Sequence, residues 1–236
     1  MSNRTTELVG SVLGVCAGRA SLIRQGSRDV RTAFVKSPIA GRVDVGPLGI
    51  GGDEHVYEGH GGPDMALLVY SADHHAHWRS LGLVLPESGA FGENLTVSGL
   101  TEEVVHIGDV FAVGTCRVQV CQPRSPCSKL AARFGRRDMP VLVQESGRTG
   151  YLLRVVAPGS IAAGDEMRLV ERDDHGLTVA ESGRVLNVDR NDADGARRVL
   201  AHPALGSSVR STLQKRLAAN EVLGLDERRL FADDWP

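Results

Sequence analysis

The chain has 236 residues, 42% of them hydrophobic and 24% charged, with a formal net charge of −2. That is enough for one large core or two smaller ones, while the charge balance excludes a global basic field for nucleic acid and no apolar run reaches the roughly 20 residues of a membrane span. Its basic residues are 24 arginines against 3 lysines, a bias that fits a GC-rich genome or anion recognition.

The opening "MSNRTTELVG" lacks the apolar core of a signal peptide. A cytoplasmic location is therefore expected, with reduced thiols, so that Cys16, Cys116, Cys121 and Cys127 form no disulfide framework. Up to about residue 172 the chain reads as short strands bounded by Gly, Pro or Asp: "LVGSVLGVCAG", "TAFVKSPI", "GRVDVGPLGI", "MALLVYS", "ENLTVSG", "DVFAVGTCRVQVCQ", "YLLRVVAPG" and "EMRLVER". That is the pattern of a β-barrel or sandwich. "FAVGTCRVQV" predicts a hairpin turning at Gly114-Thr115. Two helices are expected inside this region. One is "SADHHAHWRSLG", capped by Ser71. The other is "SPCSKLAARFG", with Ser125 as cap, Pro126 as first helical residue and Gly135 as its end. "MPVLVQESG" fits helix or strand.

From residue 173 apolar residues recur at helical spacing: Val199 and Leu200, then Val209, Leu213 and Leu217. Ser182 and Asp192 or Asp194 are suitable caps. The division expected is 1–172, strand-rich, and 173–236, a tail of about three helices. Short helices are marginal unless they dock. The face bearing Val209, Leu213 and Leu217 must rest on the same chain or on a second subunit, and a homodimer is the expectation.

Three stretches carry chemistry. In "VCQPRSPCSKL", residues 120–130, a helix starting at Pro126 puts Cys127 among free N–H groups at a helix start, next to Arg124. Both features favour a thiolate, the form that binds metals or attacks electrophiles, and Arg124 can grip an anion bidentately. A buried small side chain at a loop–helix junction would read the same way. In "GIGGDEHVYEGHGGPDMAL", residues 49–67, glycine-rich turns can nest an anion. Asp53, Glu54, His55 and His60 supply acid–base or ligand groups there. Dinucleotide and P-loop patterns are absent, and tight turns of an all-β fold are the plain alternative. Lys36 in "VKSPIAG" suits a phosphate contact, a Schiff base with pyridoxal phosphate, or a strand end; no full pyridoxal-phosphate domain fits this length. Asn94 in "GAFGENLTVSGL" offers a donor and an acceptor to a ring edge. His74 and His77 in "ADHHAHW" can share a helix face for a metal, although a solvated face is the better reading. Cys116 and Cys121 read as structural.

In order and density, "VKSPIAGRVDVGPLGIGGDEH", "GHGGPDMAL", "GAFGENLTVSGL", "IGDVF", "QPRSPCSKL" and "SGRTGYLLRVVAPGSIAAGD" resemble the MOSC family, and within it the YiiM type, over roughly residues 30–170. The helical tail resembles the three-helix region of the same type. Cys121 departs from relatives that often carry Ser before "QP". The resemblance implies a mainly β fold: a closed β-barrel with inserted helices, followed by the helical tail. It implies that Cys127 ligates molybdenum of a pyranopterin cofactor. By the same match Lys36, His60 and Arg124, with Ser125 alongside, line an anion pocket, and Asp53, Glu54 and Asn94 stand beside it. Asp53 and His60 are then candidates for proton transfer with Cys127. It further implies reduction of small N-hydroxylated compounds such as purine bases, with electrons from a separate flavin-dependent reductase, or else a carrier of the cofactor or of sulfur without turnover. No membrane or nucleic-acid partner is expected.

Overall fold

The computed structural model describes residues 8–57, 59, 61–219 and 223–231. The strands are β1 (Val9–Ala17), β2 (Ser21–Gln25), β3 (Arg28–Thr32), β4 (Ser37–Pro38), β5 (Val43–Gly46), β6 (Gly49–Ile50), β7 (Leu67–Ser71), β8 (Leu95–Ser98), β9 (Val110–Val113), β10 (Cys116–Pro123), β11 (Tyr151–Ala157), β12 (Gly159–Ile161) and β13 (Glu166–Glu171). Seven of them run β13-β9-β10-β11-β7-β8-β1, and a β1–β13 pairing closes the barrel. In β10, Val118 and Val120 point into the core while Arg117 points to solvent, the period-two alternation that a one-sided sheet requires. The hairpin between β9 and β10 turns at Gly114, whose φ of 54° suits glycine.

Every pairing in the barrel is antiparallel except β7–β8. A parallel pair needs a long crossover, and here residues 72–94 provide it, with a 3-10 turn and α1 (His75–Ser80). Ser71 caps that turn by accepting from the Asp73 N–H, as its sequence position suggests. Tyr70, Trp78 and Phe91 form a satellite core with residues of α2 (Lys129–Phe134) and α3 (Met139–Ser146). Tyr70 and Phe91 stack with centroids 4.1 Å apart. The ambiguous "MPVLVQES" is thus helical, and Gly135 ends α2 in the left-handed region. The β2–β3 hairpin and β12, absent from the sequence reading, are the short or exposed strands.

The tail contains α4 (Val179–Gly183), continued by a π turn over Arg184–Val188, then α5 (Ala193–Leu200), α6 (Ser207–Ala219) and α7 (Glu227–Leu230). Thr178 caps α4 and Asp192 caps α5 through side-chain oxygens that accept backbone N–H bonds. Ser182 is no cap: it is buried within α4 and donates to the Val179 carbonyl. Val179, Val185, Val199, Val209 and Leu213 are buried in the same continuous core as the barrel strands, with Leu217 packed against it. The apolar face of α6 therefore docks on its own chain, and the argument for a homodimer from an uncovered face loses its premise. Among the described residues no helix is long and apolar enough to cross a membrane.

Candidate functional site

A cavity of about 550 Å³ opens between the barrel and the tail. Its barrel wall includes Lys36, Asn94, Arg124 and Cys127; its tail wall includes Arg216 and Arg229. The strand β10 ends at Pro123, and the segment that follows delivers Arg124 and Cys127 to the cavity. The four cysteines are free. Three are buried, and Cys127 alone is partly exposed and lines the cavity.

The helix after Cys127 begins later than the sequence suggests. Its first residue is Lys129, so Cys127 precedes the helix instead of sitting in its first turn. Ser125 is not its cap; the Ser125 hydroxyl donates to Asn187 Oδ1 at 2.8 Å, and Asn187 Nδ2 in turn donates to the Arg124 carbonyl. What surrounds the thiol is a set of cations. Burial pulls the Arg124, Lys129 and Arg229 pKa values down, and in each case the nearby Cys127 opposes that effect. Cations, not a helix start, are what the sulfur has for neighbours.

Arg124 is buried, yet among the described residues its guanidinium makes one side-chain hydrogen bond, a long one of 3.5 Å to the Thr149 carbonyl. It also lies over the Phe34 ring, 5.6 Å from the centroid. A guanidinium carries five N–H donors, so most of this buried donor set is available to a ligand in the cavity. Burying a cation with so few partners is costly, and an anionic ligand would offset that cost.

Lys36 also lines the cavity, but its ammonium is committed. Nζ donates to both oxygens of Asp53, at 2.6 Å for Oδ1, with the two side chains 7% and 3% exposed. Asp53 accepts further bonds from the Gly18 N–H and from Asn94 Nδ2, both at 2.8 Å. Asn94 completes the network by accepting from the Leu68 N–H and donating to the Cys16 carbonyl. Asp53 and Asn94 thus hold Lys36 in place from behind, and the lysine is not a free amine of the kind a Schiff base needs. Glu54 lines the cavity and accepts from the Ala20 N–H at 2.8 Å. His55 lines it too. His60 lies outside the described residues.

Among the described residues, His74, His75 and His77 are not part of a cluster of three or more metal-ligating side chains. His74 and His75 are buried, contrary to the expected solvated face, and His74 Nε2 pairs with Glu102 Oε2 at 2.6 Å. A separate cluster of Asp173, His175 and His202 marks the barrel–tail junction. Its groups already satisfy one another: Asp173 Oδ1 lies 3.0 Å from His202 Nε2 and 3.1 Å from His175 Nδ1, while the Ala204 N–H donates to His202 Nδ1.

The sequence reading missed the tail side of the cavity altogether. Leu186, Asn187, Arg190, Arg216, Asp226 and Arg229 all line it. The arginine excess was the only signal in the sequence that pointed toward them.

The barrel is closed by seven strands; residues 56–168 match the MOSC domain and residues 177–220 match the YiiM-like 3-alpha helix domain. The chain is 37% identical over 207 residues to YflK of Bacillus subtilis (strain 168), covering 87% of this chain and 94% of that one. It is 36% identical over 204 residues to Protein YiiM of Escherichia coli (strain K12), covering 84% and 89%. A protein of Gibberella moniliformis named "Reductase" is 36% identical over 169 residues, 69% of this chain but 30% of its own length. The crystal structure of YiiM from Geobacillus stearothermophilus superposes with a TM-score of 0.75 at 35% identity, covering 88% of this chain and 99% of that one. This chain belongs to the YiiM-type MOSC family.

Proposed function

We propose that this protein binds a molybdenum–pterin cofactor through Cys127 and reduces small N-hydroxylated compounds, with electrons from a separate flavin-dependent reductase. The observation that carries the reading is the cavity itself: its one accessible thiol stands among Arg124, Lys129 and Arg229. A soft thiolate suits a high-valent metal that already carries sulfur ligands. The buried and largely unbonded Arg124 guanidinium suits an anionic group such as a phosphate on the pterin tail. The family supports the cofactor class, and the relative named "Reductase" supports the direction of the chemistry.

When bound, the cofactor supplies two-electron oxygen-atom transfer; the protein supplies orientation and electrostatics. Overall, the N–OH bond breaks, two electrons and two protons are consumed, and an N–H group and water are formed. Cys127 holds the metal. Arg124 holds the anionic tail, and Lys36, fixed by Asp53 and Asn94, adds positive charge with its third N–H donor. Asp53 is enclosed behind Lys36, so Glu54 and His55, which line the cavity, are better placed to pass protons to the departing hydroxyl.

The test is expression in a host that makes the cofactor, followed by metal and pterin content per chain and by turnover of an N-hydroxylated purine with a flavin reductase and reduced nicotinamide. Stoichiometric molybdenum with turnover, both lost in Cys127→Ser, is the expected result. Molybdenum without turnover on any N-hydroxylated compound would make the protein a cofactor carrier. Absence of molybdenum in the wild type would overturn the reading.

A further inference from the structure

Cys127 is bracketed by one residue of the far C-terminal helix. The Arg229 guanidinium donates through one terminal nitrogen to the carbonyl of Pro126, the residue before the thiol. The Arg229 carbonyl accepts from the N–H of Ser128, the residue after it, at 2.9 Å. Its other terminal nitrogen donates to Gln144 Oε1 at 2.6 Å, so α3 anchors the same side chain. Arg229 is itself fixed by the cap of α7: its N–H donates to Asp226, whose carboxylate also lies 3.5 Å from Nε. Both residues line the cavity. Cys127 belongs to neither the strand before it nor the helix after it, so these bonds hold the loop where no regular element does.

We propose that Arg229 is the positioning residue of Cys127, setting the direction of the thiol through the carbonyl before it and the amide after it while adding a positive charge to the space the sulfur faces. This deepens the reading of Cys127 as the metal-holding residue and makes the C-terminal segment part of the site. The charge and the hydrogen-bond roles are separable. Gln keeps an amide donor without charge. Lys keeps the charge but cannot make the two-pronged contact with Pro126 and Gln144.

The experiment uses the full-length, cofactor-free protein, in which Cys127 is the one thiol not buried. Its alkylation is followed by mass spectrometry with two reagents of nearly equal size, anionic iodoacetate and neutral iodoacetamide. The ratio of the two rates reports the positive field at the sulfur, and a merely structural residue would not change it. Arg229→Gln should lower the ratio at least about threefold, as loss of one nearby charge in a partly desolvated cavity requires, and Arg229→Lys should restore most of it. Deuterium exchange at the Ser128 amide should accelerate in Arg229→Ala. Circular dichroism and thermal melts confirm folding; if the Ala variant is unfolded, the Gln and Lys variants still decide the matter. An unchanged ratio in folded Arg229→Gln overturns the proposal. A lowered ratio in folded Arg229→Gln together with undiminished molybdenum in Cys127→Ser supports the charge at Cys127 and counts instead against Cys127 as the metal-holding residue.

Discussion

Asp53→Ala separates a structural role for this carboxylate from a chemical one. The side chain is 3% exposed and accepts from Lys36, the Gly18 N–H and Asn94. Removing it leaves an ammonium that is 7% exposed without its counter-charge, a change that costs about 3–5 kcal/mol when the surviving charge stays buried. Two further donors lose their acceptor, at about 1 kcal/mol or more each if water does not replace it. Lys36 borders the cavity and can turn toward solvent there, which recovers part of the loss. We expect a net destabilisation of about 3 kcal/mol, measured by urea denaturation, and a melting temperature lower by about 6–12 °C for a chain of this size. Lys36→Met/Asp53→Ala should be less destabilised than the sum of the two single variants, because no uncompensated charge remains. A loss under about 1 kcal/mol for Asp53→Ala, or strict additivity in the double variant, would show that the pair does not hold the cavity wall and would return Asp53 to the role of a free acid.

Leu213 is fully buried where α6 meets the barrel core, so Leu213→Ala should cost about 2–5 kcal/mol, read from denaturant midpoints. Truncation after Arg172 should give aggregated protein by light scattering, and it should also abolish cofactor retention because it removes the Arg216 and Arg229 wall; a soluble truncated protein that retains molybdenum would contradict the described docking. For Asp64, burial works against ionisation, yet the Ser207 N–H and hydroxyl together with Arg154 hold its carboxyl below the ordinary value. A depressed carboxyl contributes stability in full above its ordinary value near pH 4 and loses it as pH falls from there through the lower value of the folded state, so Asp64→Asn should flatten the acid limb of the stability–pH curve. Arg124→Ala should lower molybdenum content in protein purified through dilution at least about tenfold, the order expected for one lost charge-assisted hydrogen bond, and Arg124→Lys should restore only part of it.

The barrel strands were legible because their signal is local. Val118 and Val120 alternate with Arg117 and Gln119, and Gly114 marks its own turn. What stayed hidden depends on partners far along the chain. Ser125 looks like a cap until Asn187, in the tail, takes its hydroxyl. His74 looks solvated until Glu102 arrives beside it. Asp53 looks like a free acid in a glycine-rich turn, and only the fold brings Lys36, Gly18 and Asn94 around it. Arg229 sits in a segment with no motif, and nothing in its neighbourhood announces Pro126 as its partner.

The pairing that closes the barrel joins Val9, Gly10 and Ser11 to Arg168, Met167 and Glu166. Such a contact spans most of the chain and must overcome a large loop-closure entropy before it is rewarded. Until β13 has been made, the first strand has one of its two neighbours missing and leaves an unpaired edge. Synthesis therefore yields a long interval in which an apolar, incomplete sheet is exposed and no cavity exists. Folding of this protein should be slow relative to local helix formation, and the cavity is complete only once the tail made after β13 has supplied its Arg216 and Arg229 wall.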